Sequence, residues 1–289
     1  MTAPALPRSS TDGEGMFLVR AVLARIGFYV FAVVVGAFFA LPLAWLVLAP
    51  FDKNPTLSVQ VPSPTLGNFR DVFRDPYAWP SLRNSIVLAL GTMAIVVLLA
   101  AFASYALSRV RIPGRNVLLY VLLLFSSIVT GSAAMVPLFL LVFDLGLINS
   151  YVGVVLVLAG GLLPAAIFIL KDFMDGLPRS YEESARVFGA SSFQVLRDVV
   201  APVARPGFAV IAVWAIVNVW GNFLIPFILL RDPSRQPAAV VVYNFYTEGG
   251  QANLRLLSAF SLLYSIPVVV MYLFVNRRYG FRFHGGIKR

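Results

Sequence analysis

The sequence contains 289 residues, of which 59% are hydrophobic and 12% are charged, and its formal net charge is +10. A soluble globular domain has about 45–50% apolar and about 25% charged residues, so this composition is typical of a chain that lies mainly in lipid. The chain has no cysteine, which excludes disulfides, thiolate metal sites and cysteine nucleophiles, and the single histidine, His284, cannot form a metal site alone. We expect no cofactor.

The apolar residues are gathered in six stretches that each have the length of a transmembrane helix, about 17–25 residues. None of the six contains Asp, Glu, Lys or Arg. In chain order they are residues 26–48, 85–107, 117–143, 151–170, 208–230 and 256–275. The pattern predicts an all-α, polytopic membrane protein with six transmembrane helices. The first stretch is expected to be retained, because it is too long for a cleaved signal peptide and no small-residue cleavage site follows it.

The distribution of basic residues predicts the orientation of the chain. Sixteen of the 23 lysines and arginines fall in the segments that share a side with both termini, and seven fall in the others. Cytoplasmic segments are the richer in basic residues, so both termini are predicted to be cytoplasmic. The predicted organisation is a tail over residues 1–25, a membrane domain over 26–278 and a second tail over 279–289. Because the charge lies between apolar runs rather than on one solvated face, a nucleic-acid-binding protein is not expected.

The connection between the fourth and fifth spans, residues 171–206, is too long for a simple helical hairpin and is expected to have structure of its own. A helix is predicted after Pro178, with an acidic pair, Glu182 and Glu183, near its start, where the helix dipole favours negative charge. Gly189 would end that helix, and Ser191 or Ser192 would cap the next. One interpretation is an amphipathic segment that only touches the lipid surface.

A second interpretation comes from a resemblance. The spacing of Glu183, Ala185, Gly189 and Pro202 resembles the EAA motif of ABC-importer permeases, the loop that docks onto the ATPase subunit. The chain departs from the usual pattern at two positions, with serine at 184 and alanine before the proline. The resemblance implies that the residues in contact with the ATPase are Tyr181, Glu182, Glu183, Ser184, Ala185, Phe188, Gly189 and Ala190.

Beyond residue 60 the chain resembles the carbohydrate-importer permeases with a MetI-like fold, and the maltose permease G type in particular. The stretches NSIVLAL (84–90), VPLFLLVFDLGLINSYVGVVL (136–156), VWGNFLIPFIL (219–229) and the ending GFRFHGGIKR carry this resemblance. It implies a bacterial inner or plasma membrane location. It also implies three kinds of partner: a second homologous permease subunit, a dimer of ATPase subunits and an extracytoplasmic solute-binding protein.

The same resemblance implies two further contacts. The glycine-rich ending reaches between the two ATPase subunits in this family, which implicates Gly285, Gly286, Ile287 and Lys288, although Arg289 stands where a final glycine is usual. The last outer loop, between Arg231 and Arg255, corresponds to a loop that enters the cleft of the solute-binding protein. Its implicated residues are Gly249, Gly250, Gln251 and Asn253.

Three classes of function were compared: an ABC-importer permease, a secondary transporter or channel, and a membrane enzyme. Ion-coupled transporters usually need ionisable groups at membrane depth, and a hydrolase needs a nucleophile with its partners or metal ligands; the six stretches have no such groups. A Walker A pattern is absent too, so the chain is not expected to be an enzyme, and a partner would hydrolyse ATP. The permease function is favoured, for a sugar or sugar-like solute, with a polyol or glycerol phosphate as the alternative.

Polar but uncharged residues inside the spans are the candidates to line a path for a hydroxyl-rich solute. They are Ser126, Ser127, Thr130, Ser132, Asn218, Asn222 and Tyr264. The alternative is that these side chains form hydrogen bonds between packed helices.

Overall fold

The fold is seen in a computed structural model that describes residues 11–110, 113–129, 134–247 and 252–279. Within these ranges every regular element is helical. The helices are α1 (Thr11–Leu48), α2 (Gly67–Arg74), α3 (Ala78–Arg109), α4 (Arg115–Val129), α5 (Met135–Asp144), α6 (Tyr151–Asp175), α7 (Ser180–Val187), α8 (Ser192–Val203), α9 (Arg205–Trp220), α10 (Leu224–Leu229), α11 (Ala238–Thr247) and α12 (Leu254–Tyr279). Short 3-10 turns lie at Ala49–Phe51 and Pro233–Arg235.

Four of the described helices are long and apolar enough to cross a membrane: α1, α3, α6 and α12. A fifth span is possible if α8 and α9, which meet at an 80° bend, are counted together. The third predicted span contains α4 and α5, with residues 130–133 between them outside the described residues, and the fifth is divided between α9 and α10. Between α9 and α10, the Asn222 side chain accepts a hydrogen bond from the Ile225 N–H in the first turn of α10. Six spans therefore stay a prediction.

The centre of the bundle is formed by α3, α6 and α9. α3 packs mainly against these two helices, and Val96, Ala166 and Ile211 are fully buried where the three meet. Small residues permit a close approach, as is usual between membrane helices. At Gly207, a Cβ atom would lie 2.8 Å from Cγ of Phe173 on α6, so no larger residue fits without a shift of the neighbouring ring.

Polar residues buried at the Ala78 end of α3 hold the segment that precedes α11. The Asn84 side-chain amide donates to the carbonyls of Ser234 (2.9 Å) and Gln236 (3.1 Å), and the Ser85 hydroxyl accepts from the Ala238 N–H (2.9 Å). Buried polar groups need such partners. α3 begins at Ala78, so it contains the whole predicted apolar stretch of residues 85–107. Beside them, α2, α11 and α12 form a separate apolar cluster around Phe245 and Phe260.

The connection between α1 and α2 is organised by one buried carboxylate. Asp52 accepts hydrogen bonds from the Ser63 hydroxyl (2.6 Å), the Gln60 amide and the backbone N–H groups of Asn54 and Ser63. These bonds, led by that from the Ser63 hydroxyl, lower the pKa of Asp52 from 3.8 to about 2. A side-chain contact between Asn54 and Arg255 (2.9 Å) then joins this loop to the start of α12.

α1 lies apart from the bundle over most of its length. Its described side chains from Val22 to Leu43 are exposed or nearly so. The helix is held mainly at its C-terminal end, where it meets the Ala49–Phe51 turn and α12. An apolar helix with no buried face inside its own chain is suited to a lipid or protein environment outside it.

Candidate coupling site at the end of α3

The segment between α6 and α9 forms two helices around a glycine. α7 ends at Val187, and Gly189 has a φ of +84°, in the left-handed region that favours glycine. Its N–H donates to the Arg186 carbonyl (2.9 Å), and the Ala190 N–H donates to the Ala185 carbonyl (3.1 Å), which closes the C-terminus of α7. The helix–glycine–helix prediction is confirmed.

The start of α8 carries the predicted cap. The Ser191 hydroxyl accepts from the Gln194 N–H (3.3 Å), and the Gln194 side chain accepts from the Ser191 N–H (2.7 Å), which is a complete capping box. α8 then contains a π-helical stretch over Val195–Val200, and it meets α9 at the 80° bend. The C-terminus of α7 and the N-terminus of α8 therefore both have hydrogen-bond partners within the segment that joins α6 to α9.

One face of this segment is apolar and exposed. Phe188 is 90% exposed and Val187 is 84% exposed, at the tip where α7 turns towards Gly189. Tyr181, Glu183 and Ser184 are also exposed, and the Ser184 hydroxyl donates to the Ser180 carbonyl (2.9 Å) within α7. Large apolar side chains at a protruding tip are typical of a surface that binds a partner.

The opposite face packs onto the bundle. Leu177, Ala185 and Ala190 lie against the core cluster that also contains Val195 and Leu196 of α8. Phe193 of α8 stacks with Phe102 of α3 at 6.4 Å between ring centroids. The exposed tip and the bundle core are therefore joined through one short helical unit.

A buried ion pair connects α7 to α3. The Arg109 Nε donates to Oε1 of Glu182 at 2.6 Å, and the Tyr105 hydroxyl donates to Oε2 of the same carboxylate at 3.2 Å. The side chains of Arg109 and Glu182 are 10% and 7% exposed. Charges this far from water are stable only when they are paired and hydrogen-bonded. Glu182, which the resemblance placed among the ATPase contacts, has its carboxylate engaged inside its own chain.

The same turn of α3 also holds the end of α6. The Ser108 hydroxyl bonds to Asp175, which forms an ion pair with Lys171, and the Ser104 hydroxyl lies 3.2 Å from Sδ of Met174. Arg109 connects the Glu182 contact to the Asp175 contact, because its Nη1 donates to the Ser108 hydroxyl (2.9 Å). We call Tyr105, Ser108, Arg109, Asp175 and Glu182 the polar hub. It joins α3, α6 and α7 at one point.

The polar hub was not predicted from the sequence. Its members come from three segments far apart in the chain, and Arg109 and Tyr105 were not among the candidates. The sequence feature that could have indicated the hub is a basic residue, Arg109, two positions after a long apolar stretch, with Tyr105 one helical turn before it.

The described solute-path candidates form local hydrogen bonds. The Asn218 amide donates to the Trp214 carbonyl (2.7 Å), the Asn222 side chain accepts from the Ile225 N–H (3.2 Å), and the Tyr264 hydroxyl donates to the Trp220 carbonyl (2.6 Å). Only Tyr264, among these three, bridges two helices. The side chains of the remaining path candidates lie outside the described residues: Ser126, Ser127, Thr130 and Ser132.

The two predicted contact regions beyond the hub are largely outside the described residues. This applies to Gly249, Gly250 and Gln251 of the last outer loop and to the tail residues Gly285, Gly286, Ile287 and Lys288. Asn253 is described: its N–H donates to the Phe245 carbonyl (2.9 Å), and its side chain accepts from the Leu256 N–H (3.3 Å). It therefore closes the base of the loop and caps α12. Among the described residues, no group of three or more His, Cys, Asp or Glu side chains could hold a metal ion.

Comparison with known proteins adds a family match and several relatives. Residues 97–281 match the family described as binding-protein-dependent transport system inner membrane component. The galactooligosaccharides transport system permease protein GanQ of Bacillus subtilis is 30% identical, over 90% of this chain and 94% of that protein. The trehalose transport system permease protein SugB of Mycobacterium tuberculosis is 31% identical, over 82% of this chain and 88% of that protein.

A further relative is the maltodextrin transport system permease protein MdxG of Bacillus subtilis, which is 27% identical over 89% of this chain and 94% of that protein. Among solved structures, a chain of a bacterial ABC transporter involved in the import of the acidic polysaccharide alginate has a TM-score of 0.73. It is 22% identical, and the match covers 95% of this chain and 100% of that chain. At this identity the likeness shows the fold alone.

Proposed function

This chain belongs to the family of binding-protein-dependent transport system inner membrane components, and from that premise we propose that it forms half of the translocation path of an ATP-driven sugar importer. A separate subunit hydrolyses ATP, and this chain supplies no catalytic group. The observation that carries the proposal is the α7–Gly189–α8 unit, with an exposed apolar tip on one face and the buried ion pair to α3 on the other.

The coupling step follows from this geometry. An ATPase subunit that binds the tip formed by Val187 and Phe188 would move α7, and Glu182 would carry that movement to Arg109 and hence to α3. α3 packs along α6 and α9, so a shift at its end is transmitted into the centre of the bundle. Packed helices move as units more readily than they deform.

A sugar is the solute class best supported. Relatives over most of the chain length are named for galactooligosaccharide, trehalose and maltodextrin transport. The described spans α3, α6 and α12 have no charge in their apolar parts, which suits a neutral solute. A polyol or glycerol phosphate is the alternative, and uptake measurements decide between them.

The proposed partners are a second homologous permease subunit, two ATPase subunits and a solute-binding protein. The predicted orientation places both termini and residues 171–206 in the cytoplasm of a bacterial cell, and the Ala78 end of α3 outside. The last outer loop would then contact the solute-binding protein.

The proposed function is tested by reconstitution. The chain, expressed with its neighbouring transport subunits, should co-purify with an ATPase subunit, and proteoliposomes of the complex should take up trehalose or maltotriose only with ATP and the binding protein. Phe188→Ala should lower binding-protein-stimulated ATP hydrolysis, because it removes the most exposed apolar group of the tip. Phe38→Ala, at an exposed position in the middle of α1, is the matched control. Assembly without any ATPase subunit would refute the proposal.

The outer loop is tested separately. Residues 248–251 are replaced by two glycines, and Asn253 is kept because it caps α12. If the loop enters the binding protein, uptake should fall sharply while the complex still assembles. Unchanged uptake at limiting solute would contradict the loop assignment and leave the permease assignment intact.

A further inference from the structure

A cleft of about 360 Å³ opens at the Ala78 end of α3, between the α2–α3 turn and α11. Its polar lining residues are Asp75, Gln236 and Asn244, and its walls include Tyr77 and Phe245. Pockets for small molecules have volumes of about 300–1,000 Å³ and combine apolar walls with a few placed polar groups. The cleft matches both requirements, and neither the coupling step nor the predicted solute path uses it.

The polar groups in this cleft are fixed by the fold. Gln236 is buried, and its amide donates to the Leu230 carbonyl (3.2 Å) while its oxygen accepts from the Asn244 amide (3.0 Å). The Asn84 side-chain amide of α3 donates to the Gln236 carbonyl (3.1 Å), which fixes the Gln236 backbone. Gln236 therefore orients Asn244, in the way that supporting residues orient the groups that contact a ligand.

Each of the contacting groups keeps hydrogen-bonding capacity. Oδ1 of Asp75 accepts from the N–H groups of Tyr77 (2.9 Å) and Ala78 (2.8 Å). Among the described residues, no partner binds Oδ2 of Asp75, Oδ1 of Asn244 or the Tyr77 hydroxyl. A carboxylate accepts two or more hydrogen bonds, and a carboxamide both donates and accepts.

These groups determine the class of ligand. We propose that the cleft binds one ring of a neutral sugar, whose hydroxyls donate to Asp75 and exchange hydrogen bonds with the Asn244 amide while its C–H face packs against Tyr77. A phosphorylated solute is disfavoured, because the Asp75 carboxylate would repel it and no described lysine or arginine lines the cleft. Asn244 lies one helical turn before the end of α11, next to the loop proposed to meet the solute-binding protein.

The inference rests on the proposed function in one respect, that this end of α3 faces outwards. The cleft would then be a holding site for solute between the binding protein and the membrane path. It deepens the proposed function by favouring a neutral sugar over glycerol phosphate.

The test is saturation-transfer difference NMR on the whole transporter in nanodiscs, without the binding protein, with trehalose, maltotriose and glycerol 3-phosphate as probes. Asp75→Asn is the informative variant, since asparagine keeps an oxygen for the Tyr77 and Ala78 caps and loses the free carboxylate oxygen. It should weaken sugar binding about tenfold, as expected for one hydrogen bond to a charged group. The matched control is Asp71→Asn, at an exposed position on α2 outside the cleft, which should bind as the wild type does.

A second pair of variants distinguishes the loss of a sugar contact from misfolding caused by Asp75→Asn. Tyr77→Ala should also weaken binding, whereas Trp79→Ala, at a neighbouring exposed aromatic that does not line the cleft, should not. The proposal is overturned if neither sugar gives a signal, if glycerol 3-phosphate displaces the sugars, or if Asp75→Asn leaves sugar binding unchanged. Sugar uptake with no effect of the cleft variants on binding would remove this site and leave the importer function standing. Sugar binding in the cleft without ATP-dependent uptake would support this site and contradict the importer function.

Discussion

Glu182 on α7 and Arg109 on α3 are 73 positions apart in the chain, and their carboxylate and guanidinium groups meet at 2.6 Å in a nearly water-free environment. The Tyr105 hydroxyl binds the second carboxylate oxygen, so the position of α7 is tied to the last turn of α3. The neighbouring Glu183 is exposed. Glu182 therefore holds α7 to its own chain, and we predict that the exposed Glu183 contacts the ATPase subunit.

We expect Glu182→Leu to destabilise the protein by about 3–5 kcal/mol, because it leaves the Arg109 charge buried without its partner. Replacing both residues, as Glu182→Leu with Arg109→Met, should recover most of this loss, since a well-packed apolar pair is often as stable as a buried ion pair. The thermal unfolding midpoint in detergent measures both effects.

Glu183→Leu is the control for the ion pair, and it should change stability by no more than about 0.5 kcal/mol, as is usual for exposed positions. Its effect should appear instead in ATP hydrolysis by the assembled complex. Equal destabilisation by the two substitutions would show that the buried pair does not hold α7.

Gly189→Ala should cost about 1–2 kcal/mol, because alanine disfavours a φ of +84°. No heavy atom lies within 4 Å of the added Cβ, so the cost is conformational rather than steric. Gly160→Ala on α6 also meets open space but has an ordinary helical backbone, and it should be neutral or slightly stabilising. Stimulated ATP hydrolysis should fall for the first variant alone, and a matching fall in both would contradict the role of the turn.

The orientation is tested with two cysteines, which can be labelled cleanly because the chain has none of its own. Val187→Cys and Val61→Cys place the thiol at positions that are 84% and 95% exposed. An impermeant maleimide added to intact cells that express the chain without its ATPase subunits should label position 61 and should reach position 187 only after the membrane is opened. The reverse pattern would invert the predicted topology.

The connection between α1 and α2 should be stable to acid until a low pH. Asp52 has a folded pKa of about 2, below its ordinary value of 3.8, so its ionised form stabilises the loop fully above about pH 4. This contribution is lost as the pH falls from about 4 to 2. The fluorescence anisotropy of a label at Val61→Cys should drop over that range, and Asp52→Asn should abolish the transition. A drop centred near pH 6 would point to a different group.

Features set by neighbours in the sequence were predictable. The Ser191 cap, the Gly189 turn and the apolar lengths of α1, α3, α6 and α12 all follow from residues within a few turns of one another. The polar hub was not predictable in this way, since Arg109 meets Glu182 only because α3 and α6 pack side by side. The hydrogen bonds of Asn84 and Ser85 to residues 234–238 were not predictable either, because they join segments about 150 positions apart.

The separation of α1 from the bundle has a consequence for biosynthesis. α1 is made before α12, and its described contacts are mainly with the turn that follows it and with α12. During synthesis α1 therefore lacks this partner helix until α12 is made. The described contacts between α1 and α12 therefore form only after α2 to α11 have been made.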